Sequence, residues 1–222
     1  MPDHTNCPEG ESTGSFAICL DRYAKAFFSQ FTSTHSLTQM ANLLVTYDGP
    51  YKVESQVEVE DILSLIHARG SYSAPFTEGI FKLVVEENPR RVIGRLQFLM
   101  SLEPEKFRFT RSWVPVDRWC RSDLEQISDA VTEMGEEIGD DESWKIVLRR
   151  DECPGINTGK LIDILSHSVF KPRSSLVYPQ KIILVHIAGM ETALSLLAPE
   201  DMLEVGDVPG VPGEDGVQIS LQ

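Results

Sequence analysis

From residue 40 onward the apolar and polar positions fall into two alternating periods. Asn42–Tyr47 (NLLVTY) is a short β-rich run closed by a Gly-Pro pair, which predicts a strand and a turn. Val59, Ile62, Leu63 and Ile66 then recur at helical spacing behind Ser55-Gln-Val-Glu58, whose Ser…Glu spacing predicts a capping box. Gly79–Glu86 (GIFKLVVE) predicts a second strand. Asn88-Pro89 supplies an N-cap and a proline at the first helical position, and Ile93, Leu96, Leu99 and Met100 form the stripe of the helix that follows. Phe107–Val114 alternates as a half-buried strand does. The order β-α-β-α-β, with room for another strand near 70–76, predicts a ferredoxin-like α+β unit over residues 40–120.

A second set of elements follows the connector Pro115–Arg121. Ser122-Asp-Leu-Glu125 predicts another capping box, and Leu124, Ile127, Val131, Met134 and Ile138 mark one face of a helix ending at Gly139. Trp144–Arg150 predicts a strand, and Asn157 caps a short helix with Leu161, Ile162, Leu165 and Val169 inward. A short strand is expected near 175–178, then a hairpin of Lys181–Ile187 and Glu191–Leu197 around Gly189-Met190. The unit over 121–198 therefore reads α-β-α-β-β. Residues 1–39 are rich in Ser, Thr, Gly and Gln, and Met40 stands just before the first strand. They read as an extension, partly disordered or with a helix around 16–31 docked on the core. Residues 199–222 are rich in Gly, Pro and acids, and are expected to form a disordered acidic tail.

Charge complicates this picture. The chain has 222 residues and a net charge of −14, which argues against contact with phosphates. Residues 122–142 hold nine acids and no base, however, and residues 199–222 hold six acids and no base. These two stretches contribute −15, which leaves the other residues at about +1. The objection is thereby confined to one helix and a tail. No apolar stretch approaches a membrane span, and the first residues lack the pattern of a signal peptide, so a cytoplasmic protein is expected. Cys7, Cys19, Cys120 and Cys153 show no C-x-x-C spacing, and the histidines do not cluster with them. No metal or cofactor is expected. A Walker A loop, Rossmann glycines, a nucleophile elbow and H-E-x-x-H are all absent, so the protein reads as non-catalytic.

The order of residues after 122 carries a resemblance. A long helix leads to a W-K-x-x-x-x-R-R strand (Trp144, Lys145, Arg149, Arg150), then to a second helix and to Leu176-x-x-Pro179. A hydrophobic strand and Ala193-Leu-Ser-Leu-Leu197 close the unit. This resembles a THUMP domain, the module of thiouridine synthases and several RNA methyltransferases. Residues 40–197 as a whole resemble the archaeal stand-alone THUMP proteins, which are similar to the eukaryotic Tan1-type adaptor that assists tRNA cytidine acetylation. The run RFTRSWVPVDRW, Arg108 to Trp119, adds to the likeness. Where family members often show V-D-L-x-N-P-D/E, this chain reads Ser174-Ser-Leu-Val-Tyr-Pro179-Gln, with Ser175 and Tyr178 replacing the aspartate and asparagine.

The resemblance implies a tRNA-binding adaptor that presents tRNA to a modification enzyme, a cytidine acetyltransferase being the implied partner. The alternative is a protein-interaction module of THUMP fold with little or no RNA binding. Candidate phosphate contacts are Arg108, Arg111, Arg118 and Arg121 in the first unit and connector, and Lys145, Arg149, Arg150, Lys160, Lys171 and Arg173 in the second. The second set is implied to face the acceptor-stem end of tRNA. Trp113, Trp119 and Trp144 are candidates for base stacking or for packing. Lys82, Arg90 and Arg91 read as plain surface residues. A homodimer through an edge strand is open.

Overall fold

A computed structural model places these elements and describes residues 40–74, 77–150, 161, 164–165, 167–206 and 219–220. The first half of the chain contributes β1 (Leu43–Tyr47), α1 (Lys52–Leu65), β2 (Gly70–Tyr72), β3 (Ile80–Val85), α2 (Pro89–Leu102) and β4 (Thr110–Pro115). These strands lie in the order β2-β3-β1-β4, and every neighbour is antiparallel. Period-two alternation sorts their side chains by face. Leu43, Val45, Phe81, Leu83 and Trp113 face one way and pack under Val59, Ile62 and Leu63 of α1 and Val92, Ile93 and Leu96 of α2.

The second half contributes β5 (Arg118–Arg121), α3 (Leu124–Glu136), β6 (Trp144–Arg150), β7 (Lys181–Ala188) and β8 (Glu191–Leu197). β6 and β7 run parallel, which requires a crossover, and the described residues between them are helical at 161, 164–165 and 167–168. β7 and β8 form the expected hairpin, turned at Gly189 with φ of 65°. Ile146, Leu148, Ile183, Val185 and Leu194 are buried beneath Ile127, Val131 and Met134 of α3, together with Leu161, Leu165 and Val169.

The remaining face of each sheet packs on the other. Leu44, Ile80 and Val116 meet Ala188 and Ala193, while Val114 meets Ile182, Leu184 and Leu197. The layers are thus helices, sheet, sheet, helices within one compact unit, residues 40–222. Polar side chains cross this seam. Lys82, 4% exposed, reaches Glu191 at 2.6 Å and lies 4.9 Å over the Trp119 ring. Arg90 grips Asp117 with two bonds of 2.8 and 2.9 Å and donates to the Leu196 carbonyl. Neither residue is the plain surface charge that its position in the sequence suggests.

Other local expectations change as well. α1 starts at Lys52, so Ser55 and Glu58 lie inside the helix instead of capping it, and both are buried. Asp123, not Ser122, caps α3, accepting from the Gln126 amide at 2.9 Å. Asn88 and Pro89 act as expected, with the Asn88 side chain accepting from the Arg90 amide. Pro115–Arg121 is more than a connector, because β5 pairs with β8 and edges the second sheet. Near 175–178 there is no strand, only a bridge between Trp144 and Ser174.

Residues 199–206 depart from the expected disorder. Pro199–Asp201 forms a 3-10 turn, and β9 (Leu203–Glu204) pairs with β4. Leu203 and Val205 alternate at strand spacing, so both enter the first core while the acids between and around them stay outside. β10 (Ile219–Ser220) adds to the edge of β6. The expectations for residues 1–39, Asn157 and Ile162 fall outside the described residues. No described helix is long and apolar enough to cross a membrane.

Candidate nucleic-acid interface

At the end of the second sheet where β6 and β7 begin, a loop over 170–181 wraps Ser143 and Trp144. The Trp144 amide donates to the Arg173 carbonyl at 2.9 Å, and the Ser175 amide donates to the Trp144 carbonyl at 2.8 Å. The Trp144 indole donates to the Lys171 carbonyl at 3.2 Å, and the Ser143 hydroxyl to the Tyr178 carbonyl at 3.0 Å. Ser175 accepts from the Tyr178 amide at 3.4 Å, so its hydroxyl still caps a local turn at a position where aspartate was expected. With its backbone held this way, the loop turns apolar side chains outward. Phe170 is 86% exposed and Tyr178 83% exposed.

The same loop carries Lys171, Arg173 and Lys181, and acids from the segment after α3 pair with them. Lys171 meets Asp140 at 2.8 Å, and Lys181 meets Glu142 at 3.7 Å. Arg173 donates to the Asp141 carbonyl at 3.0 Å and lies 3.5 Å from its carboxylate. The hydrogen bond from Lys171 holds the Asp140 carboxyl below the ordinary aspartate range. Lys145, half-buried on β6, makes no ion pair among the described residues. Along the sequence the acids of 122–142 are separate from these bases. In the fold 140–142 turn back onto them, so the surplus of about +1 outside the acidic stretches is not an open positive face. Asp140 and Asp141 are almost fully exposed, however, and such pairs are weak enough for a phosphate to replace the carboxylate.

Arg149, Arg111, Arg118, Arg108 and Arg121 make no contact with this loop among the described residues. Arg149 points into the seam between the sheets, donating to the Ser112 hydroxyl at 3.1 Å and pairing with Glu204. It is a cross-link, not a presented phosphate ligand: alternation along β6 puts Lys145, Val147 and Arg149 on the one face that looks toward the first sheet, and Arg149 lies four positions, roughly 13 Å, along the strand from Lys145. Arg111 is held by both oxygens of Asp48, and Arg118 pairs with Glu133 of α3. Arg108 is exposed, its guanidinium 5.7 Å from the Phe109 ring. Arg121 is exposed without an ion pair among the described residues. Arg150 belongs to β6 but its side chain lies outside the described residues, as does Lys160 entirely.

The tryptophans are structural. Trp113 is fully buried, Trp119 donates to the Ala41 carbonyl at 2.6 Å, and Trp144 is 7% exposed. Trp113 and Trp144 are too buried to stack on a base, and Lys82 lies over the partly buried Trp119 ring. In this loop the exposed rings are Phe170 and Tyr178, and they, with Lys181, are not among the binding candidates that the sequence offered. The signal available was the clustering of aromatic and basic residues in one proline-containing stretch, FKPRSSLVYPQK.

No family model and no curated protein matches the sequence. Solved structures do match. PH1313 from Pyrococcus horikoshii Ot3 superposes with a TM-score of 0.50 at 13% identity, covering 73% of this chain and 54% of that one. TrmN from Thermus thermophilus gives 0.46 at 12% identity, covering 69% and 44%. A 4-thiouridine synthetase in complex with RNA and ATP gives 0.46 at 11% identity, covering 74% and 42%. The chain spans about half the length of these proteins or less. At such identities a likeness concerns fold alone, and the superposition on PH1313 supports a THUMP-like α+β fold.

Proposed function

We propose that this protein binds tRNA through the loop over 170–181 and acts as a non-catalytic adaptor that presents it to a modification enzyme. The observation that carries the reading is that Lys171, Arg173 and Lys181 share one loop with two exposed aromatic rings, Phe170 and Tyr178, and that Lys145 follows the Trp144 which this loop wraps. Ammonium and guanidinium groups contact phosphates, and exposed rings accept unpaired bases, so the combination suits the junction of a stem and its single-stranded end. The THUMP-like fold supports tRNA as the RNA, and the sequence resemblance alone implies a cytidine acetyltransferase as the partner. The name ferredoxin-like for residues 40–120 belongs with this proposal, supported by the β-α-β-β-α-β order and its antiparallel neighbours.

Titration of total tRNA against the protein across a salt series tests the reading. The expected result is binding that weakens linearly in log–log coordinates as salt rises. Absence of any salt-dependent complex overturns it. The adaptor role is tested separately, by adding the protein to a tRNA cytidine acetyltransferase and measuring acetylation. A rate left unchanged removes that role.

One observation favours a second reading, a protein-interaction module with little RNA affinity. Asp140, Asp141 and Glu142 already neutralise three of the four cations. The same titration separates the two readings.

A further inference from the structure

We infer that the outer face of α1 is a docking site for a basic amphipathic helix of a partner protein. α1 is apolar on two sides. Val59, Ile62 and Leu63 enter the core, while Val53, Val57 and Leu65 are 72%, 53% and 48% exposed. Positions 53, 57, 61 and 65 follow one another at a spacing of four, so the three apolar residues and Asp61 form a single stripe along the helix. A surface helix ordinarily carries polar residues there, and an apolar stripe with a polar rim marks a contact site.

Beside the stripe a groove of about 410 Å³ opens between α1 and the segment leading into β4, with Phe109 in its wall. Its charged lining is acidic: Glu54, Asp61 and Glu105 face a single base, Lys106, which itself lies 3.8 Å from Glu103. Glu58, also in the lining, is committed to the Arg108, Phe109 and Thr110 amides and takes no part. Three available carboxylates repel phosphates and select an occupant whose apolar anchors are flanked by Lys or Arg. An amphipathic helix laid in a groove with its basic residues against that rim meets both requirements. The site is independent of the RNA reading and stands or falls separately.

The test is fluorescence anisotropy with the full chain and a short fluorescein-labelled amphipathic peptide of leucine and lysine, its leucine–glutamate counterpart serving as control. Wild type is expected to bind the lysine peptide saturably and the glutamate peptide not at all. Val53→Asp with Val57→Asp, and separately Glu54→Lys with Asp61→Lys, should each weaken binding about tenfold, all four positions being exposed and outside the core. Glu125→Lys with Asp129→Lys on α3 should leave binding unchanged. Three results overturn the inference: no saturable binding by wild type, α1 variants that bind as wild type does, or an α3 variant that loses as much, which reduces the effect to general charge attraction.

Discussion

Glu58 shows how one side chain joins two elements. Projecting from the middle of α1, it accepts from the Arg108, Phe109 and Thr110 amides at 2.7, 2.8 and 2.9 Å, and from the Thr110 hydroxyl at 2.7 Å. That hydroxyl in turn accepts from the Trp113 indole at 3.1 Å. A carboxylate here satisfies three successive backbone donors, of which the Thr110 amide is buried, and so fixes where β4 begins. Glu58→Ala should therefore cost about 3 kcal/mol or more in urea unfolding, since several amides lose a charged acceptor at once. A loss below about 1 kcal/mol would show that the network is dispensable. Cys120 behaves differently. Burial, assisted by the nearby Asp123 charge, pushes its thiol up to about 11. Only the thiolate reacts with alkylating reagents, so iodoacetamide labelling should be slow at neutral pH and rise steeply only as pH approaches 11. Labelling of Cys120 at pH 8 as fast as that of free cysteine contradicts this.

Among the elements, the edge strands tie the two halves of the chain together. β5 leaves the first half and pairs with β8, whereas β9 returns from beyond the second half and pairs with β4. A border drawn at residue 120 consequently cuts through a strand, and the segment after Pro199 belongs partly to the first core. Its anchor is Leu203, 6% exposed among α2, β4 and their neighbours. Leu203→Ala should lower stability by about 2–3 kcal/mol, read as a drop in the thermal midpoint, because it leaves a cavity and loosens β9 together. An unchanged midpoint would mean that the segment contributes nothing to the fold.

For the molecule as a whole, the cations divide into those that hold layers together and those that face solvent. Lys145→Glu with Arg173→Glu should reduce tRNA affinity about tenfold and flatten the salt dependence, without moving the thermal midpoint. An unchanged affinity takes both residues out of the interface. Arg149→Glu should act in the opposite way. It sets a carboxylate against Glu204 in the seam, so thermal stability should fall while the tRNA affinity of the folded fraction stays level. Loss of affinity at full stability would place Arg149 at the RNA surface after all.

The sequence alone determined what depends on neighbours in the chain. Stripes such as Ile127, Val131 and Met134, or alternations such as Leu43 and Val45, report burial because their period matches the geometry of one element. The helix after Asn88-Pro89, the strand at Trp144–Arg150 and the hairpin at Gly189 were legible for that reason. So, within the candidate site, was the basic character of Lys171 and Arg173. The tertiary structure decided what depends on contacts distant in sequence. Only stacking of the two sheets turns Lys82 and Arg149 from apparent surface charges into seam residues, because their period places them on a second face whose covering the sequence does not specify. Asp140, Asp141 and Glu142 lie some thirty to forty positions from the cations they pair with. Summing charge along the chain separates them, and folding brings them within a few ångströms.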